Sequence, residues 1–266
     1  MKEINMTYKI LFLDIDGTIL KPDHTYEDST KEAIAQLKRQ GIEVFISTGR
    51  PLHEVKELAA ELQVDSYIGY NGAYAVYQNE TIIDEPMDHK SIEQFLKTAK
   101  ENNHEMVLYT NGKNHFTSLH NELVQHFIDT FQLKQNVLYT NEVSDQILGA
   151  TVMNLSQSQE KMYEIETNLR LSQVNIKGVG HSYDIIRTNV NKGEAVKHIL
   201  QHLNLKKEQA IAFGDGMNDK EMLQAVGEGF AMQNGDPDLF QYAKHTTTSV
   251  TDSGISNGLK KLGLIK

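Results

Sequence analysis

No cysteine occurs in the 266 residues. Disulfides, thiolate chemistry and Cys-ligated zinc are thereby excluded, and an intracellular setting is the simplest fit. The chain also lacks an excess of positive charge: 36 Asp and Glu against 26 Lys and Arg give a formal net charge of -10. A nucleic-acid backbone or an anionic membrane needs a basic surface, so neither is expected as the main partner. A small phosphorylated ligand stays open, because one local cation overrides the global sign. No stretch is long and apolar enough to predict a membrane-spanning helix. The apolar run before Asp14 is too brief and too soon acidic for a signal peptide, so the expected location is cytoplasmic. There is no internal repeat and no low-complexity linker. With 39% hydrophobic and 23% charged residues, the composition is that of one large globular domain or two moderate ones.

What is present begins with Lys9-Ile10-Leu11-Phe12-Leu13-Asp14-Ile15-Asp16-Gly17-Thr18. A short β-friendly apolar run that ends in two carboxylates and a glycine predicts a buried strand delivering acids to its C-terminal end. Open parallel sheets bind ligands at that edge. Asp14 and Asp16 alternate, so in a continuing strand they share a face, and Gly17 lets the chain turn. Two carboxylates that close repel unless a cation lies between them or one holds a proton. The pair therefore points to a metal, an acid/base pair, or both; an ordinary Asp-Gly turn is the plainer alternative.

The rest of the chain alternates strand and helix. Thr30 to Gln40 carries Ala33, Ile34 and Leu37 at helical spacing before Gly41. Ile42 to Ser47 is a second buried strand ending in Thr48-Gly49-Arg50-Pro51, and Leu52, Val55, Leu58 and Leu62 mark the buried face of the helix expected next. A third strand runs over Tyr67 to Tyr70, and a hairpin follows between Tyr74 and Ile83. From about Asp84 to Ile186 the rhythm changes to an α+β unit. Helices are expected there through Ile92, Phe95, Leu96 and Ala99, through Leu123, Phe127, Ile128 and Phe131, and through Ile165 and Leu169. Strands are expected at Met106 to Tyr109, Ala150 to Met153 and Asp184 to Ile186. The α/β rhythm then resumes with a helix through Ala195, Val196, Ile199 and Leu203, a strand at Ala210 to Phe213, a helix through Met222, Leu223 and Val226, and a strand at Gly229 to Met232. Strand, helix, strand at these lengths implies right-handed crossovers and a parallel sheet.

Three further stretches accompany the first. Phe45-Ile46-Ser47-Thr48-Gly49 puts a hydroxyl and an unobstructed main-chain amide at a strand end, which suits a phosphate oxygen. Asn191-Lys192-Gly193 offers an ammonium at a helix start; buried, it can neutralise a transferring phosphoryl group. Gly214-Asp215-Gly216-Met217-Asn218-Asp219 sets two acids and an amide on a glycine-flanked turn after an apolar strand, oxygen ligands of the kind Mg2+ prefers. An acidic turn or a calcium loop is the alternative, disfavoured because the glutamate that would close an EF-hand loop is missing.

Together these four stretches resemble, in order, the motifs of the haloacid dehalogenase superfamily of phosphotransferases. Asp14-Ile15-Asp16-Gly17-Thr18 matches Asp-x-Asp-Gly-Thr, and Gly214 to Asp219 matches Gly-Asp-Gly-x-Asn-Asp. Asn191-Lys192-Gly193, Asn71-Gly72-Ala73 and Thr48-Gly49-Arg50-Pro51 resemble its Cof branch. The insert lies where that branch carries a type-IIB cap. The resemblance implies a doubly wound, Rossmann-like α/β core of residues 1-83 and 187-266 with an inserted α+β cap of residues 84-186. It also implies a Mg2+-dependent phosphatase. Asp14 is then the nucleophile that forms an aspartyl-phosphate, and Asp16 the acid that protonates the leaving oxygen and then the base that activates water. Asp14, the backbone carbonyl of Asp16, and Asp215 hold the metal, with Asp219 orienting the metal's waters or Lys192. Thr48, the Gly49 amide, Lys192, Asn218 and the Ile15 amide hold the phosphoryl oxygens.

The implied partner is a small phosphorylated metabolite, either a sugar phosphate or a phosphorylated cofactor such as pyridoxal phosphate or FMN, acted on by a monomer or weak homodimer. A phosphomutase shares the nucleophile, and a non-catalytic phosphoacceptor or metabolite-binding regulator is the rival from another class. Asp16 favours turnover over a stable phosphoryl mark. Arg50 and Asn71 are candidates for the substrate cleft, with a structural ion pair as the equal alternative for Arg50. His89, His104, His115, His120 and His126 in the insert lack the i, i+4 spacing of a helical zinc site, so they are expected to be surface residues with one or two facing the substrate.

Overall fold

Ile10–Leu13 form the strand β1, and all four side chains are fully buried. In the computed structural model, which describes residues 8–174 and 178–266, this strand lies inside a parallel sheet. The first seven residues of the expected core and residues 175–177 of the expected insert lie outside the described residues. After β1 come α1 (Asp28–Arg39), β2 (Glu43–Ser47), α2 (Lys56–Glu61), β3 (Tyr67–Gly69), β4 (Tyr74–Tyr77) and β5 (Glu80–Asp84). The insert then supplies α3 (His89–Asn102), β6 (Glu105–Tyr109), β7 (Asn114–Phe116), α4 (Glu122–Phe131), β8 (Asn136–Leu138), β9 (Gly149–Met153), β10 (Leu169–Gln173) and β11 (Tyr183–Arg187). The chain closes with α5 (Lys192–His202), β12 (Ala210–Gly214), α6 (Lys220–Ala225), β13 (Glu228–Met232), β14 (His245–Thr247) and α7 (Gly254–Lys261).

The strand order of the first sheet is β14-β13-β12-β1-β2-β3-β4-β5, parallel from β14 to β3, with β4 antiparallel to β3. This is the doubly wound α/β arrangement expected. Ile10 and Phe12 pack with Ala195, Val196 and Ile199 of α5 and Met222 and Leu223 of α6. Leu11 and Leu13 alternate to the opposite face, and α1 and α7 pack against each other. A strand covered on both faces has no polar side to present, which is why its sequence is a continuous apolar run. β1 lies between β2 and β12, so the strand order reverses at its carboxyl end and a crevice forms there. The turn between β4 and β5 has Gln78 at φ 48° and Asn79 at φ 69°, left-handed residues that fit the right-handed twist of a hairpin.

The insert's sheet has the order β10-β11-β9-β6-β7-β8, antiparallel except for β7 and β8. Ile92, Phe95 and Ala99 of α3 pack with Met106, Leu108, Ala150 and Val152; Val124 and Phe127 of α4 pack with Val107, Phe116 and Met153. The third expected helix is absent: Leu169 begins β10, and Ile165 lies outside any helix or strand. Leu169 and Leu171 alternate along β10, so the period there is two, and the turn ahead of it is closed by the bond from the Leu169 amide to the Glu166 carbonyl. The helix expected from Leu52 also divides. A 3-10 turn spans Leu52–Glu54 ahead of α2, with Pro51 just before it.

Contacts gather the chain into two units: one holds the chain up to Gly49, Lys56–Ile83 and Val190–Lys266, the other Arg50–Val55 and Asp84–Asn189. Arg50–Val55 groups with the insert because Glu54 Oε1 accepts from the Lys134 amide at 2.8 Å and from Asn114 Nδ2 at 3.0 Å. Residues 188 and 189 do so through the bond from the Thr188 amide to the Asn168 carbonyl at 2.8 Å. Among the described residues, no helix is long and apolar enough to cross a membrane.

Candidate active site

Three parallel strands end side by side and each delivers polar residues at its end: β1 gives Asp14, β2 gives Thr48, and β12 gives Asp215. Asp14 stays within the ladder, donating its amide to the Phe213 carbonyl at 3.1 Å. Beyond it the Ile15 carbonyl accepts from the amides of Ile19 and Leu20 at 2.9 and 2.7 Å, so the Asp16-Gly17 segment is a tight reversal rather than a continuing strand. Gly17 has φ +83°. A Cβ there would lie 2.1 Å from Asp215 Oδ2, so only glycine allows the loop to press against that carboxylate.

Lys192, at the first position of α5, is fully buried and donates to Asp14 Oδ1 and to Asp219 Oδ1, both at 2.6 Å. The other oxygen of Asp219 accepts the backbone amides of Asp215 and Gly216 at 3.0 and 3.1 Å. One buried side chain thus holds both the ammonium and the turn that carries Asp215. Burial, the neighbouring Asp219 and Asp215 push the Asp14 carboxyl well above the usual range, with Lys192 pulling against them. Burial and Asp219 raise Asp215 to about 7. Burial works against the Lys192 charge, but Asp14 and Asp219 outweigh it and hold the ammonium protonated. Three carboxylates against one ammonium leave surplus negative charge that a dry site does not tolerate without a cation or a proton.

The donor set fits a hard divalent cation. Carboxylate oxygens of Asp14, Asp215 and Asp219 all lie within 4.8 Å of one another. Both oxygens of Asp219 are already engaged, which leaves oxygens of Asp14 and Asp215, two carboxyls close enough to share a proton.

A second group assembles beside Thr48. The Thr48 carbonyl accepts the Asn71 amide at 3.1 Å, Asn71 Oδ1 accepts from Asn218 Nδ2 at 3.2 Å, and a Cβ on Gly49 would lie 2.9 Å from that same oxygen. Asn71 holds φ 53°, a left-handed conformation that asparagine tolerates better than most residues. The structure therefore brings Asp14, Lys192, Asp215 and Asp219 into one cluster and Gly49, Asn71 and Asn218 into another, while Arg50 groups with the insert. Sequence reading passed over Asn234, whose Nδ2 donates to the Gly17 carbonyl at 2.8 Å. The available signal was topological: Asn234 follows β13, a parallel strand whose end lies at the same sheet edge as β1 and β12.

The family described as haloacid dehalogenase-like hydrolase matches residues 11–259. A protein of Bacillus subtilis (strain 168) named "Putative phosphatase YkrA" is 32% identical over 265 residues, covering 98% of this chain and 100% of its own. From the same strain, the 5-amino-6-(5-phospho-D-ribitylamino)uracil phosphatase YitU is 28% identical, covering 95% and 96%. The solved structure of a hypothetical protein from Geobacillus kaustophilus HTA426 superposes with a TM-score of 0.89 at 28% identity, covering 97% of this chain and 100% of the other. The chain belongs to the haloacid dehalogenase-like hydrolases and is a phosphatase of that family, a hydrolase of phosphate monoesters.

Proposed function

We propose that the protein is a Mg2+-dependent phosphatase of small phosphorylated metabolites that works through an aspartyl-phosphate on Asp14. The observation that carries this reading is the buried Lys192, bonded at 2.6 Å to both Asp14 and Asp219, with Asp215 beside them. That is a compact charged centre at the carboxyl end of parallel strands, where a transferred phosphoryl group can be neutralised.

Asp14 attacks phosphorus, and the bond from phosphorus to the leaving oxygen breaks as the carboxylate bond to phosphorus forms. Asp16 gives its proton to that oxygen. It then takes one from the water that cleaves the acyl phosphate, so inorganic phosphate leaves and Asp14 is restored. The Ile15 and Gly49 amides, the Thr48 hydroxyl, Lys192 and Asn218 hold the phosphoryl oxygens, with Asn71 setting the Asn218 amide. Asp14, the Asp16 carbonyl and Asp215 would hold Mg2+, which draws negative charge away from nucleophile and phosphoryl group alike. Asp219 keeps Lys192 in place and the Asp215 turn closed.

Residues 1-83 and 187-266 are the catalytic core in this reading, and residues 84-186 the cap that selects the leaving group. Candidate substrates are sugar phosphates and phosphorylated cofactors or their precursors; the activity named for YitU, on a phosphorylated ribityl compound, supports that class. The test is phosphate release from a panel of such compounds, with Mg2+ and with chelator, for wild type and Asp14→Asn. Metal-dependent release that disappears in the variant is the expected result. Retained activity in Asp14→Asn removes that residue from its role, and product isomers without free phosphate would mean a mutase.

A further inference from the structure

We propose that Asn234 is a positioning residue for the Asp16-Gly17 turn, and through it for the acid that protonates the leaving group; this rests on the role given above to Asp16. The turn at Gly17 is a reversal whose φ +83° favours glycine and which presses against the Asp215 carboxylate, and its two peptide groups are held from different sides. The Gly17 amide is held by the Leu20 carbonyl at 2.9 Å. Its carbonyl is held by Asn234 Nδ2 at 2.8 Å, across 217 positions of sequence.

Asn234 is itself fixed at its other end, where Oδ1 accepts the Val250 amide at 2.8 Å. One planar amide thus spans from the turn after β1 to the backbone ahead of α7, and neither end can rotate without losing a bond. The residues next to it brace the neighbouring turn. The Gly235 amide closes onto the Met232 carbonyl at 2.9 Å, and the Asp236 amide donates to the Asp215 carbonyl at 2.8 Å. A Cβ on Gly235 would lie 2.5 Å from that Asp215 oxygen, so backbone rests directly on backbone. The turn after β13 therefore sets two catalytic turns at once, and Asn234 is the side chain that reaches the first. A swing of the Gly17 peptide displaces the adjoining residue, Asp16, whose proton must meet the leaving oxygen in line.

The consequence differs between substrates. p-Nitrophenolate departs with little protonation, whereas phenolate, at a higher pKa, depends on the acid. Steady-state kinetics on a series of aryl phosphates from p-nitrophenyl to phenyl phosphate, with Mg2+, test this for wild type, Asn234→Ala and Asn234→Asp. The aspartate variant keeps an acceptor for Val250 and sets a carboxylate oxygen, which repels rather than donates, against the Gly17 carbonyl, so it stays informative if the alanine variant folds poorly. Both variants should lose about 10- to 100-fold in kcat on phenyl phosphate, the usual scale for a residue that orients a reacting group. They should lose much less on p-nitrophenyl phosphate, with KM little changed, so kcat falls more steeply with leaving-group pKa than in wild type. A purely structural role predicts the same factor for every substrate. That uniform loss, or wild-type kinetics in Asn234→Asp, overturns the assignment. A wild-type protein that releases phosphate neither from this series nor from the metabolite panel overturns the proposed function itself.

Discussion

The core and the insert bury polarity in opposite ways. The most deeply buried carboxylates and ammonium among the described residues, Asp14, Lys192, Asp219 and Glu228, belong to the core, while Asp184 of the insert is half-buried. The insert buries hydroxyls, amides and imidazoles instead, including Thr151, Asn114, His104 and His115. A buried charge costs several kcal/mol unless it is paired, and replacing a buried ion pair by apolar residues is often neutral or stabilising. A site that keeps Asp14, Asp219 and one ammonium out of water, with a half-buried Asp215 beside them, is therefore poorly explained by stability, and chemistry is the better account. The insert's neutral pairs, such as Tyr163 Oη with His104 Nδ1 at 2.8 Å, satisfy hydrogen bonds without a charge to neutralise. Reactivity is concentrated in one unit, and the other supplies a surface whose polarity is quiet.

The sharpest way to break this contrast is to remove the cation. Lys192→Met keeps most of the unbranched side chain but leaves Asp14 and Asp219 buried without their partner. It should destabilise the fold by about 3–5 kcal/mol in urea titration and lower phosphate release by at least about a thousandfold, since nucleophile and phosphoryl group lose the same charge. Unchanged stability would mean that the acids are already neutral. Next in size is Gly17→Ala. Its Cβ would collide with Asp215 Oδ2, and φ +83° costs about 1 kcal/mol or more for any other residue. Turnover should fall about 10- to 100-fold, with a weaker apparent affinity for Mg2+ in the same assay. Near wild-type kinetics would show that the two turns move independently.

Legibility followed the same division. The acids after β1 and β12 stood out because four motifs occur in the order of one family, each at a strand end or helix start, whereas an Asp-Gly turn taken alone left the plainer alternative open; their neighbours in the sheet are set by helix-length crossovers. In the insert, the spacing of Ile165 and Leu169 imitated a helix where the chain turns and enters β10. Its polar row, Tyr109 Oη to Thr151 Oγ1 at 2.9 Å and Thr151 Oγ1 to Asp184 Oδ1 at 2.6 Å, joins residues 42 and 33 positions apart through antiparallel pairing. No local pattern announces that register, because it is decided by which strands become neighbours. Asn234 was hidden for the same reason: its partner Gly17 is distant in sequence and near only through the order of β13, β12 and β1.

A smaller effect separates structure from chemistry within the insert. Tyr163→Phe removes the hydroxyl that partners His104 Nδ1, and His104 Nε2 is already without a partner. A buried imidazole that loses this bond should cost about 1–3 kcal/mol, read as a lower urea midpoint with turnover unchanged at a temperature where the variant is folded. A drop in kcat at full folding would show that the insert's buried polarity is not quiet.

The mildest test opposes the two units directly, through pH. In the core, Asp14 is raised by burial and Asp219, and Asp215 is raised to about 7 by burial and Asp219. Both ionise in the unfolded chain near the ordinary carboxylate value, so the folded metal-free core binds more protons between about pH 4 and pH 7. Its stability therefore rises as pH falls through that window. In the insert, burial lowers His104, and burial with Lys113 and His53 lowers His115. The unfolded chain then binds more protons below about pH 6.5, so acid destabilises the insert as those imidazoles charge. Asp184 opposes this only toward the acid end, being raised by burial but held back by the Thr151 hydroxyl. Each proton contributes a slope of at most about 1.4 kcal/mol per pH unit. Peptide-resolved hydrogen exchange from pH 7 to pH 5.5, corrected for intrinsic rates, should show protection rising in β1 and β12 and falling in β6 and β7. Saturating Mg2+ should flatten the first trend and leave the second, because a cation between Asp14 and Asp215 replaces the proton. Slopes of one sign in both units, or a Mg2+ effect on the insert alone, would remove the division of labour between them.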